Sequence, residues 1–349
     1  MTLRIQEPRE PKSSDTAAPV GGLVAVTAPA PVSAIRSFLQ HRGNSKLGDA
    51  AFRWIMVLCA LSIFAIVALI FTELISHSRM TLARFGWKFF VRSAWDPVND
   101  NFGALPFIYG TIVSSVIALV IAVPLAVGTA VFLTEMCPKA MRGILSFLTE
   151  LLAAIPSVVY GLWAIFVLVP LLRRFVDPLL IKALGWTGLF ATPDFGVGLF
   201  AAGVILAIMI LPIISSLTRE VMTAVPHSQR EAVLALGATR WEMIRMGVLR
   251  NARIGIVGSV ILGLGRALGE TMAVAMVIGS SPTIQRSLLA PAATMASVIA
   301  NEFAEAADDT YRSALIEIGL ALFLVTIVVN MFARLLVWAV TRGAPARTA

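Results

Sequence analysis

The sequence predicts an all-α fold, a polytopic membrane helical bundle with six transmembrane helices, on three observations. The 349 residues are 58% hydrophobic and 14% charged, with mean hydropathy +0.86, values far from those of an ordinary soluble domain. Six apolar runs each reach the twenty or so residues that cross a bilayer. Lys and Arg gather in alternate connections, the pattern that separates the two sides of a membrane.

Residues 1–45 are rich in Pro, Ala, Ser and Thr, show no period, and read as a disordered cytoplasmic tail. They are not a signal peptide, because the first long apolar run starts only near Arg53. A membrane domain, 46–342, follows. Its spans are expected at about 53–75, 105–134, 145–172, 195–217, 254–278 and 313–340, and a short cytoplasmic tail, 343–349, ends the chain. Pro124, Pro156, Pro170 and Pro212 fall inside spans, where neighbouring helices can satisfy the backbone groups they free.

With the N-terminus inside, eighteen of the 28 Lys and Arg lie on the cytoplasmic side and nine outside, Arg266 being the one within a span. Both termini and the 218–250 loop are therefore expected in the cytoplasm. The first outer loop, which holds Arg79, Arg84, Lys88 and Arg92, runs against the trend.

That 218–250 loop is the most structured connection. Ser228 with Glu231 three residues on reads as a capping box after Pro226, and Gly237 as a helix stop. Thr239 then caps a second short helix through Trp241 to Arg245. The apolar side chains Leu234, Leu236, Trp241 and Ile244 suit a docking surface, although a helix pair lying on lipid headgroups would carry them too. The outer loop 279–312 predicts a helical run opened by Pro291 and reaching Phe303, followed by Glu305, Asp308 and Asp309.

The fifth span holds a second signal. Arg266, roughly 18 Å along a helix from Ile254, sits near mid-bilayer, where a lone charge costs about 3 kcal/mol. Glu270, four residues on, shares its face and can pair with it. The pair reads either as self-neutralising at a helix contact or as part of a polar pathway. Arg before Glu is the weaker order for a local pair, and Gly265 and Gly269 leave room beside the guanidinium, which favours the pathway. Gly255, Ser259 and Gly263 form a row suited to close helix packing. A guanidinium offers fixed donors in pairs to a tetrahedral oxyanion, with Thr111, Ser114, Ser115 and Ser157 as further donors.

Several classes are excluded. No Gly is followed directly by Lys, so the chain has no phosphate-binding loop of its own and cannot hydrolyse ATP alone. No interfacial cluster of catalytic residues is present, Cys59 and Cys137 are not placed to pair, and the three histidines lie in tails or loops.

Two motifs carry a family resemblance. Glu231-Ala232 with Gly237 resembles the cytoplasmic EAA loop of ABC-importer permeases. Gly265-Arg266-Ala267-Leu268-Gly269-Glu270-Thr271-Met272-Ala273-Val274 and Ala154-Ile155-Pro156-Ser157-Val158-Val159-Tyr160-Gly161 resemble the phosphate permeases of the PstC type. The resemblance spans about residues 50–342 and implies a type I ABC importer permease in the bacterial inner membrane. The EAA-type loop, through Glu231, Ala232, Leu236, Gly237 and Trp241, would dock a separate ATPase dimer (PstB-like) that uses ATP and Mg, with no cofactor on this chain. A second permease subunit (PstA-like) and a phosphate-binding protein (PstS-like) would complete the system. Arg266, Glu270, Ser157 and Thr111 would line the route of inorganic phosphate. One residue departs from the pattern: Leu249 is followed by Arg250 where a proline is usual. Another oxyanion such as sulfate, or a self-sufficient ion-coupled transporter, remains open on the residues alone.

Overall fold

A computed structural model describes residues 45–191 and 195–341. The expected N-terminal tail and the 343–349 tail lie outside the described residues. Contacts divide the chain into two units, one ending at Ala65 and one beginning at Ile66. The first unit contributes the opening turns of α1 (Ser45–His77), where every residue from Gly48 to Ala65 is exposed. A helix apolar on all sides and unburied within its own chain is built to meet lipid or another membrane helix.

In the second unit, α2 (Leu105–Val131) opens with Pro106 in its first turn, where a missing N–H costs nothing. It continues through a π-helical turn, Phe132–Met136. Ala118, Ala122, Ala126 and Ala130 recur every four residues and are all buried. That small-residue stripe lets α2 approach α5 (Leu199–Thr223) closely. A Cβ on Gly203 of α5 would fall 2.4 Å from Ile117 Cγ2. The apolar stretch of α5 is 67% buried, against 28% for those of α2 and the last helix, so α5 is the central helix.

The third span differs from expectation. In place of one helix over 145–172, α3 (Lys139–Ala154) and α4 (Ser157–Trp163) meet at 92°. Pro156 excludes the helical conformation from the residue before it, and Ile155 is extended at φ −67°, ψ 129°. The helix that α4 opens then continues through π-helical turns to Thr187. Counting the bent pair once, the described residues contain six possible membrane crossings.

The fifth span also differs. α6 (His227–Ala235) is a separate short helix. The helix that starts at Arg240, however, runs without interruption to Leu268. It opens with an α-helical turn, Arg240–Glu242, continues as a π-helical stretch, Met243–Leu249, and ends as α7 (Arg250–Leu268). The second helix expected in the 218–250 loop is thus the beginning of the fifth span. Arg250 sits in helical geometry at φ −62°, ψ −37°. Without a proline there, no N–H is lost and the helix passes straight through. Gly269 ends α7, and α8 (Met272–Val277) follows as an independent turn and a half, so the expected single span over 254–278 is broken.

In the connection that follows α8, α9 (Met295–Glu302) starts at Thr294, not at Pro291. Thr294 and Ser297 exchange side-chain to backbone hydrogen bonds of 2.9 and 3.1 Å, which fixes the start. Glu302 accepts from Trp95 Nε1 at 2.9 Å and from Tyr311 Oη at 2.6 Å. Two positives of the atypical first outer loop are folded into it: Arg84 pairs with Asp100 at 3.4 Å, and Arg92 donates to Asn101 at 3.2 Å.

The last helix, α10 (Asp309–Thr341), buries Glu317 completely, with no hydrogen-bond partner among the described residues for either carboxylate oxygen. A polar group held this way costs about 1–3 kcal/mol. Glu317→Met is therefore expected to raise the thermal unfolding midpoint of the detergent-solubilised protein. A lower midpoint would mean that the carboxyl is held by a partner in solution.

Candidate functional site

Two regions carry the residues that the sequence singles out, and one helix joins them. At one end, Pro226 (φ −58°, ψ 142°) turns the chain into α6, which begins at His227. Ser228 therefore lies inside the first turn, and the expected Ser228–Glu231 capping box does not form. Proline's fixed φ sets the start that a side-chain cap would otherwise define. Gly237, at φ +81°, ends the helix as expected. Nothing lies within 4 Å of where its Cβ would be, so its requirement is conformational and not spatial.

Thr239 caps the next helix, and reciprocally. Its backbone N–H donates to Glu242 at 2.8 Å, and its hydroxyl accepts from the Glu242 N–H at 3.3 Å. Glu231 and Ala232 are exposed. So are Leu234, Leu236 and Trp241, at 42%, 89% and 62%. Ile244 is the exception among the four apolar side chains. It packs with Met222, Val225, Met243 and Val248 in a small core beneath the surface. Leu234 and Trp241 border a recess of about 590 Å³ that Glu135 and Ile244 also line, and Leu236 lies outside it.

The sequence reading missed what holds this surface in place. Arg230 of α6 pairs with Glu135 at 3.0 Å, with only 12% and 9% of the two side chains exposed. The same guanidinium donates to the carbonyls of Met222, at 2.9 Å, and of Val225, at the end of α5. One side chain so ties α6 to the ends of two membrane helices. The available signal was electrostatic: Glu135 is an acid at the end of the second span, on the face where Arg230 is expected.

The other region lies within the membrane domain, where two breaks meet. α4 packs on α8: a Cβ on Gly161 would sit 2.4 Å from Met276 Sδ and 3.2 Å from Ala273 Cα. The two motifs around residues 154–161 and 265–274 are thus one structural unit. Tyr160 donates across the first break to Leu152 O at 2.8 Å, and it lies within electrostatic reach of Arg266.

Arg266 occupies the last turn of α7, where the helix dipole favours a cation. Its side chain is 41% exposed, whereas that of Glu270 is 8% exposed. They approach to 3.9 Å, an ion contact too long for a hydrogen bond. Because the helix ends at Leu268, this is not a regular i,i+4 pair: Glu270 lies beyond the terminus. The guanidinium retains free donors, and the Cβ position of Gly265 beside it meets nothing within 4 Å.

The small-residue row divides by face. Gly255 and Gly263 press on Val221 and Ile214 of α5, and Ser259 shares a buried 2.9 Å hydrogen bond with Thr218. Ser157 opens α4 half-buried. Thr111 is engaged with the start of α9. Its hydroxyl donates to Phe107 O at 2.8 Å and accepts from the Met295 N–H at 2.9 Å, so it anchors α9 and has no proton left for an anion. Ser114 likewise donates to Thr111 O at 3.3 Å, while Ser115 is buried with no hydrogen-bond partner among the described residues.

Comparison with known proteins gives the same picture. The profile of the family described as "Binding-protein-dependent transport system inner membrane component" matches residues 122–342. The phosphate transport system permease protein PstC of Mesorhizobium japonicum is 46% identical over 82% of this chain and 89% of its own. That of Haemophilus influenzae is 46% identical over 83% and 93%. A crystal structure of a bacterial ABC transporter involved in import of the acidic polysaccharide alginate aligns with TM-score 0.52 at 17% identity. That alignment covers 85% of this chain and 100% of the other, and it shows a shared fold. A chain with this bundle, an EAA-type helix and such relatives belongs to the family of binding-protein-dependent transport system inner membrane components, in its PstC branch.

Proposed function

We propose that this chain is a permease subunit of an ATP-driven phosphate importer in a bacterial inner membrane, with both termini cytoplasmic. It forms the translocation pathway with a second, PstA-like permease. It couples to a PstB-like ATPase dimer through α6 and the Thr239–Trp241 turn, and it receives phosphate from a PstS-like binding protein on the outer face. The chain itself performs no catalysis: ATP and Mg belong to the ATPase.

The observation that carries this reading is the half-exposed Arg266 at the junction of two broken helices, only loosely held by Glu270 at 3.9 Å. Broken membrane helices place irregular backbone and charge where a polar solute must pass. A guanidinium with unsaturated donors binds a tetrahedral oxyanion, and the nearby carboxylate keeps that binding weak enough for release. The names of the curated relatives support phosphate as that oxyanion.

The test is labelled-phosphate uptake into vesicles containing the reconstituted complex. Uptake is expected to require ATP and to resist a large excess of sulfate. Sulfate uptake at a comparable rate would reassign the substrate, and uptake by this chain without an ATPase would mark it as an ion-coupled transporter. Leu236→Asp, on the most exposed apolar side chain of the docking surface, is expected to reduce ATPase co-purification at least about tenfold. Unchanged co-purification would remove the surface from the interface.

A further inference from the structure

One polar feature lies outside both regions described above. Thr326, Asn330 and Arg334 recur every four residues on α10, so they share one face of a membrane helix. All three line an open groove of about 640 Å³, flanked by Ile327, Met331 and Trp338. Among the described residues, none of these three side chains has a hydrogen-bond or ion-pair partner. Thr326 differs in this from Thr72, Thr129, Thr134, Thr149 and Thr223, each of which donates to a carbonyl one turn earlier in its helix.

A second groove adjoins Arg334, where Ile254, Gly258 and Leu262 of α7 face Val337 and Trp338. The start of α7 thus lies beside the end of α10, which puts Arg334 at the α6 end of the bundle. The Cβ position of Gly258 meets nothing within 4 Å, so the α7 side of this groove is open.

Hydroxyl, amide and guanidinium facing hydrocarbon are costly unless something polar meets them. Their order along the helix identifies it. The cation lies at the membrane edge, the amide roughly 6 Å deeper and the hydroxyl roughly 6 Å deeper again. A glycerophospholipid presents its groups in that order: a phosphate, then ester carbonyls that accept from N–H and O–H, then acyl chain. The apolar flanks Ile327 and Met331 continue where acyl chain would lie. A free oxyanion would need several donors converging on one point, and here the three are spread along the helix at roughly 6 Å intervals.

We propose that this groove holds an anionic phospholipid of the leaflet at the α6 end, with its phosphate on Arg334 and an ester carbonyl on the Asn330 amide. Basic grooves between membrane helices recognise such headgroups. The lipid also touches α7, the helix that ends in Arg266, so its occupancy braces that helix.

The test uses the intact complex, exchanged into vesicles of phosphatidylcholine with or without phosphatidylglycerol, re-extracted in mild detergent and weighed by native mass spectrometry. The wild type is expected to retain phosphatidylglycerol. Arg334→Gln is expected to retain about fivefold less, the scale of one basic side chain at a charged leaflet. Arg334→Lys keeps most of the retention and Asn330→Leu keeps part. Equal retention by wild type and Arg334→Gln overturns the proposal. Loss of the second permease from the Arg334→Gln complex also overturns it, by assigning the groove to a subunit contact. Displacement of the lipid by inorganic phosphate overturns it in favour of a free-anion site. Retention is read without transport, so this result stands or falls separately from the phosphate reading.

Discussion

Arg266→Gln is expected to reduce phosphate uptake at least about a hundredfold while the complex still assembles. A charge-assisted hydrogen bond contributes about 1.5–3 kcal/mol, so a guanidinium that binds an anion through two of them accounts for a loss of that size or more. Assembly should survive because the side chain is 41% exposed and its contact with Glu270 is long. Arg266→Lys separates charge from geometry: a point charge restores part of the rate, and the missing fork limits the rest. Glu270→Gln is expected to lower turnover while tightening apparent affinity, since the anion loses the carboxylate that opposes it. The measurements are initial uptake rate and gel-filtration profile. Wild-type uptake by Arg266→Gln would take Arg266 out of the pathway.

Arg230→Ala is the variant with the largest expected effect on the fold. It leaves Glu135, 9% exposed, without its partner, and it frees the Met222 and Val225 carbonyls. Breaking a buried pair on one side costs about 3–5 kcal/mol. The expected result is a lower unfolding midpoint together with ATPase activity that no longer responds to transported substrate. The double variant Arg230→Ala with Glu135→Leu removes the stranded charge and should recover much of the stability. It should not recover the coupling, because α6 is still untied from α2 and α5. Full recovery of both would reduce the pair to a stability element.

Much of this was legible in the sequence, for physical reasons. Span positions follow from apolar length, and Gly237 and Thr239 follow from local backbone chemistry, which acts over three or four residues. Two misread helix starts depend on choices between local signals. Pro226 overrode the Ser228 capping box. Thr294 overrode Pro291 as the start of α9. Pro156 and Gly269 broke spans whose hydropathy continues smoothly across them, because hydropathy measures solvent preference and not backbone direction. Thr111 has the right chemistry for an anion, but its hydroxyl is committed to two backbone groups, which only the tertiary structure reveals. The Arg230–Glu135 pair joins residues 95 positions apart, and no local pattern encodes that.

The uninterrupted helix from Arg240 to Leu268 has a mechanical consequence. It packs closely on the central helix at Gly255, where a Cβ would meet Val221 Cγ1 at 2.3 Å. Trp241 lies about 21 Å to one side of that contact and Arg266 about 16 Å to the other, at the rise of an α-helix. A rod held near such a fulcrum swings its two ends in opposite directions by comparable amounts. A displacement of about 4 Å at Trp241 would carry the guanidinium about 3 Å the opposite way, a stroke the size of one hydrogen bond.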